Sequence, residues 1–188
     1  MQAFDFGVAL ERIQARDDAA FAELWRRHHP MLLRYLRVIV ADAAEDVASE
    51  TWIAVVRALP RFVGDEQNFR SWLITIARNR AMDYGRSRQR QSVVLQSADE
   101  LDENPAPTPD PAVLVVETLS AHEAVDLVTR TLPPLQAEAV ILRSVLGLDV
   151  KEVARIMDKR TGTMRVLSHR GLRRLEQTFA ERRAVQLG

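Results

Sequence analysis

"DVKEVARIMDKRTGTMRVLSHRGLRRL", residues 149–175, sets two helical periods on either side of a short polar turn. Asp149 precedes "VKEVARIM" at the place where a side-chain oxygen caps free N–H groups, and Val150, Val153, Ala154 and Met157 recur on one face. "DKRT" turns the chain, and Thr161 is placed to cap a second helix running from Gly162. On that helix Met164, Leu167, Leu172 and Leu175 share the packed side, while Thr163, Arg165, Val166, His169 and Arg170 face away. This is the spacing of a helix-turn-helix, whose second helix enters the DNA major groove with its N-terminal residues toward base edges. Arg173 and Arg174 then suit phosphates. Taken alone the pattern also fits a plain helical hairpin.

Moving toward the N-terminus, helical periodicity continues back through "PPLQAEAVILRSVLGL" and "AVLVVETLSAHEAVDLVTRTL" to about Ala112, then fails. "SADELDENPAPTPDP" is acidic and carries Pro105, Pro107, Pro109 and Pro111, a composition with too little apolar surface to fold. It predicts a linker. About twenty extended residues at ~3.3 Å each reach at most about 66 Å, nearly two turns of duplex at ~34 Å each.

Ahead of the linker lies "FRSWLITIARNRAMDYGRSRQRQ", residues 69–91, with six arginines against the single acid Asp83. As a helix it places Phe69, Leu73, Ile76, Ala77 and Tyr84 on one side and Ser71, Thr75, Arg78, Asn79 and Arg86 on another. Arg80 falls within the apolar arc, which predicts an ion pair with a carboxylate of a neighbouring helix. Trp72 is expected to pack in the core. "FVGDEQN", residues 62–68, reads as a polar loop. Before it, "DAAEDVASETWIAVVRALPRF" puts Ala44, Val47, Ala48, Thr51, Val55, Ala58 and Leu59 on one arc and Asp46, Glu50, Ile53 and Arg57 on the other, and Pro60 ends it. "DDAAFAELWRRHHPMLLRYLRVIVAD" gives one bent helix or two, capped by Asp17 or Asp18, with "HHP" read as a junction.

The expected fold is therefore all-α: two small helical domains, 1–90 and 112–188, joined by an acidic Pro-rich linker, 91–111, with the second ending in the helix-turn-helix. The formal net charge of zero conceals segregation. Residues 92–129 hold eight acids and no Lys or Arg, whereas residues 151–174 hold eight bases and two acids. Two basic blocks separated by an acidic one predict two polyanion-facing surfaces.

Other classes are poorly supported. The chain has no cysteine, hence no disulfide framework or thiolate site, and His28, His29, His122 and His169 lack ligand spacing. No phosphate-cradling glycine loop or paired nucleophile and base is present, so neither enzyme chemistry nor a cofactor is expected. No window approaches the ~18 apolar residues of a membrane span, and a cytoplasmic location is expected.

The order of these segments resembles the extracytoplasmic-function (ECF, group IV) sigma factors of bacterial RNA polymerase. "FRSWLITIARNRAMDYGRSR" resembles their promoter-melting and −10-reading segment, "DAAEDVASETWIAVVRALPRF" the helix that docks on the polymerase β′ clamp helices, and residues 132–175 their −35-reading domain. Ser49 stands where the family commonly has glutamine, and "MDKRTGT" and "VLSHRGL" depart from its usual turn and recognition helix. The resemblance implies that Asp46, Glu50 and Ile53 bind polymerase core. It places Asn68, Arg70, Arg78, Asn79 and Arg86 on −10 DNA, and Thr163, Arg165, Val166, His169, Arg170 and Arg173 on −35 DNA. It further implies contact with the β flap and an anti-sigma partner. The other expectation from the residues alone is a helix-turn-helix regulator acting without polymerase, which would tolerate changes at Asp46 and Glu50.

Overall fold

The computed structural model describes residues 4–91 and 121–186, and among these every regular element is helical. The chain divides into two compact units. Residues 92–120, which contain most of the expected linker and the expected helix start at Ala112, lie outside the described residues.

Four helices build the first unit: α1 (Phe6–Gln14), α2 (Asp18–Val40), α3 (Ala44–Ala58) and α4 (Glu66–Gln91). The sequence reading missed α1. Its start is nonetheless written in Asp5, whose carboxylate accepts from the Val8 N–H at 3.1 Å, and its buried face in Phe6 and Ala9. Asp17 caps α2, accepting from the N–H groups of Ala19 and Ala20 and from Arg12, and these donors hold its carboxyl below the usual range.

α2 corrects the expectation of a junction at "HHP", because it passes unbroken through Pro30. A proline inside a helix costs ~3 kcal/mol. That is outweighed by a single buried stripe continuing across it: Leu24 and His28 before, Met31, Leu32, Tyr35 and Leu36 after.

On α3 the expected arc is buried at Ala44, Val47, Ala48, Thr51, Val55 and Leu59, joined by Trp52, while Ala58 is half-buried. A 3₁₀ turn, Leu59–Arg61, carries Pro60 and leads to a loop shorter than the expected 62–68. Asp65 accepts from the Asn68 N–H at 2.8 Å and donates its own N–H to the Asn68 side chain at 3.1 Å, so α4 begins at Glu66. Phe62, Phe69 and Trp72 form an aromatic cluster with Phe6, ring centroids 5.0–6.3 Å apart. The buried line of α4 is Phe69, Leu73, Ile74, Ala77 and Ala81, joined by Ser71, which was expected on the outer side; Ile76 and Tyr84 are only half-buried. Arg80, expected among the core's ion pairs, is exposed, because the line has moved to Ala77 and Ala81.

The second unit contains α5 (Ala121–Thr131), α6 (Pro134–Val140), α7 (Val150–Met157) and α8 (Thr161–Gln186). α6 runs on as a π turn over Ile141–Val145, closed by Leu146 N–H to Ile141 C=O at 2.9 Å. Leu127, Val128, Leu132, Ala137, Val140, Leu172 and Leu175 form one core cluster. Gly171 lets α6 and α8 approach: a Cβ there would stand 2.6 Å from Val140 Cγ2 and 3.3 Å from Leu132 Cδ1.

Candidate nucleic-acid interface

In the helix-turn-helix, Asp149 and Glu152 form the reciprocal capping pair: Asp149 accepts from the N–H groups of Lys151 and Glu152, and Glu152 accepts from the Asp149 N–H. α7 buries Val153, Ala154, Ile156 and Met157, and Val150 is half-buried. Asp158 closes it in the left-handed region at φ 52°, where its C-cap N–H and that of Lys159 reach back to Arg155 and Ala154. α8 starts at Thr161, one residue before the expected start, and its first backbone acceptor is the Arg160 carbonyl, bonded by Met164 N–H at 3.1 Å.

Met164, Leu167, Leu172 and Leu175 are buried on α8 as the periodicity requires. Arg165, Arg170 and Arg173 are exposed, and Thr163 and His169 half-buried. Val166 is a correction: at 6% exposure it belongs to the core and cannot face DNA. α8 is packed by both α6 and α7, so its buried arc is wider than one apolar stripe.

On α4, Asn79 and Arg86 are exposed and Arg70 and Arg78 half-buried, so the basic residues flank the buried line on the outer side. Arg86 Nη2 lies 2.6 Å from Asp83 Oδ1, one helical turn earlier. Such an exposed pair contributes only ~0–1 kcal/mol. Asn68 is differently placed from expectation: its side chain is engaged in the cap with Asp65. Val63, at the loop tip, is 91% exposed.

The third candidate surface is on α3, where Asp46, Glu50 and Ile53 are exposed together. The structure adds Val56, 50% exposed beside Ile53 at 53%, which makes an apolar pair rimmed by acids. Its signal in the sequence was the i, i+3 step from Ile53. Behind this face Trp52 donates its indole N–H to His29 Nδ1 at 3.2 Å, and His29 stacks on Trp25 with centroids 4.4 Å apart.

His28 is a different kind of residue. It is 2% exposed with Nε2 lacking a hydrogen-bond partner, 3.6 Å from a Glu66 carboxylate that Arg27 holds at 2.7 Å. Burial lowers its pKa from 6.5 to about 4, opposed by Glu66 and aided by Arg27 and Arg70. The fold thus favours neutral imidazole, so its contribution is complete above about pH 6.5 and is lost as pH falls toward 4. We expect the wild-type chain to lose about 2 kcal/mol from this group between pH 7 and pH 5, and His28→Met to lack that increment. Urea unfolding at the two pH values checks this, and identical pH dependence in both proteins would refute it.

Among the described residues no cluster of His, Asp and Glu is arranged to hold a metal ion, and no helix is long and apolar enough to cross a membrane. What the surfaces share is charge and shape for macromolecules. The two units match, in order, the families described as Sigma-70 region 2, over residues 24–91, and Sigma-70, region 4, over residues 122–175, which defines a two-domain sigma-type protein. The chain is 37% identical over 174 residues to the ECF RNA polymerase sigma factor BldN of Streptomyces coelicolor, covering 92% of this chain and 65% of that protein. It is 31% identical to the ECF RNA polymerase sigma factor SigD of Mycobacterium tuberculosis, covering 94% of this chain and 84% of that one. Its fold is similar to that of the sigma factor RpoE of Bartonella quintana, solved in complex with the anti-sigma factor NepR, with a TM-score of 0.61 at 21% identity over 85% and 96% of the two chains. The chain belongs to the ECF RNA polymerase sigma factors, the family that directs promoter-specific transcription by RNA polymerase.

Proposed function

We propose that this chain is a group IV sigma factor that brings RNA polymerase core to promoters carrying both a −35 and a −10 element, without bond chemistry of its own. Residues 1–90 bind core and −10 DNA, residues 91–111 connect, and residues 112–188 read −35 DNA and meet the β flap. The reading is supported above all by one arrangement: an acid-rimmed apolar pair on α3 and arginine-lined faces on α4 and α8, in a chain carrying both sigma regions.

In this reading Asp46, Glu50, Ile53 and Val56 dock on the β′ clamp helices. Burying Ile53 and Val56 there contributes ~1.5–3 kcal/mol per side chain, and the acids select a basic partner. Arg165 and Arg170 read base edges. Arg70, Arg78 and Arg86 hold the backbone of the opened strand while Asn79 meets a base. Trapping an unpaired base returns ~1–3 kcal/mol by stacking against an opening cost of a few, so strand capture can sustain melting without an energy source. An anti-sigma protein that covers these surfaces would switch the chain off in the cytoplasm.

Transcription in vitro with purified core polymerase and genomic templates tests the proposal. Initiation at defined start sites is expected, and its absence on every template would overturn it. Arg78→Ala with Arg86→Ala should reduce open-complex formation on the order of tenfold, more so at about 50 than at 200 mM salt, because the loss of phosphate contacts flattens the salt dependence, while core affinity stays unchanged. Permanganate footprinting together with core-binding titration separates the two quantities.

A further inference from the structure

The short loop between the 3₁₀ turn and α4 is held at both ends by the segment that leads into α1. Phe62 enters the loop and Phe69 follows it, and both rings rest on Phe6, with centroids 6.3 and 5.5 Å away. α1 also packs on the 3₁₀ turn Leu59–Arg61 that leads in. A second tie runs through Phe4, whose ring lies beneath the Arg27 guanidinium at 4.8 Å. Arg27 in turn donates to both carboxylate oxygens of Glu66, the first residue of α4, at 2.7 and 3.4 Å. Between these anchors Gly64, at φ 152°, lets the loop close on its own exit: a Cβ there would stand 2.8 Å from Asn68 Cβ. A loop this short, fixed at both ends, has its pose set by what holds the ends.

Phe4 is half-buried and Arg27 exposed, so neither fills the core. A surface cation–π contact adds little to folding. Neither phenylalanine carries a group that could read a base. Their effect has to pass through Phe62, Phe69 and Glu66, and α4 then carries the arginines proposed for −10 DNA. Recognition of that kind depends on how firmly the supporting contacts hold the reading residues. We infer that Phe4, Phe6 and Arg27 are positioning residues for −10 recognition: they form a clasp that fixes residues 62–65 and the start of α4, and so narrows which bases the first unit accepts. The inference rests on the −10 reading proposed above.

The test uses holoenzyme assembled from the full chain and purified core polymerase, a pool of duplexes with a randomised stretch, and sequencing of the DNA retained. Wild type should enrich a −35 and a −10 block. Phe4→Ala and Arg27→Ala should each flatten base preference in the −10 block by about two- to fivefold, the worth of a surface cation–π contact, and leave the −35 block and core affinity unchanged. Phe4→Tyr keeps the ring and should restore the preference. A −10 block as sharp as wild type in both alanine variants would overturn the clasp and leave the −10 reading standing. Loss of both blocks together, in step with a lowered melting point, would make the segment a stabilising element only and refute the inference. If Arg27→Ala acts alone and flattens the log–log salt slope of DNA binding by about 1, Arg27 is a phosphate contact and the clasp is again refuted. A wild-type holoenzyme that enriches a −35 block but no −10 block would sink the −10 reading and the clasp with it.

Discussion

Ile53→Asp should weaken binding to RNA polymerase core at least a hundredfold while leaving the melting curve of the chain in place. Ile53 is 53% exposed on α3, so its replacement removes no core contact. In the docked state the substitution forfeits ~1.5–3 kcal/mol of apolar burial and adds the desolvation of a carboxylate. Together these exceed the ~2.8 kcal/mol that corresponds to a hundredfold. Val8→Asp is the matched control, since Val8 is 52% exposed but sits on a different helix, α1. Titration of labelled chain with purified core gives both constants. Equal affinities for Ile53→Asp and wild type would remove α3 from the docking surface.

The second large effect concerns the fold itself. Gly171→Ala should destabilise the second unit by about 1–2 kcal/mol, although alanine gains up to ~1 kcal/mol over glycine in helix propensity. The added methyl would lie 2.6 Å from Val140 Cγ2, 3.3 Å from Leu132 Cδ1 and 3.5 Å from the Gln136 carbonyl. Val140 is fully buried and β-branched, so its χ1 is stiff and moving it aside is costly. Gly85, inside α4, has nothing within 4 Å of its Cβ position, and Gly85→Ala should therefore stabilise by ~0.5–1 kcal/mol. Thermal unfolding followed by circular dichroism distinguishes the opposite signs; a stabilised Gly171→Ala would mean that α6 and α8 are not held this closely.

These outcomes follow from features of unequal visibility in the sequence. The interior of α3 and the packed side of α8 were legible because Val47, Ala48, Thr51 and Val55, and Met164, Leu167, Leu172 and Leu175, recur at helical steps that only one face can satisfy. Asp149 was legible as a cap because Glu152 completes the reciprocal pair. Periodicity fixes a direction, however, and not the width of the buried arc. Val166 was misplaced for that reason, since α8 is gripped from two sides. Arg80 was misplaced in the opposite sense: the buried line of α4 narrows to the small residues Ala77 and Ala81, and its flank reaches solvent. Pro30 is a local signal overruled by a tertiary one. The α1 helix escaped notice because nine residues with two buried side chains carry little pattern. For the interfaces, residue type and face were readable, whereas Asn68's engagement by Asp65 and the hold of Arg27 on Glu66 depend on contacts that no period contains.

The stacking of Trp25 on His29, and the indole N–H of Trp52 bonded to the same imidazole, have an optical consequence. All three tryptophans and both tyrosines of the chain lie between residues 25 and 84, so its ultraviolet emission originates wholly in the first unit. Two of the three emitters meet at one imidazole, and one of them, Trp52, is the residue next to Ile53 on α3. The protein thus carries an intrinsic fluorophore pair with one member on the helix proposed to meet polymerase, and the second unit contributes no background to it.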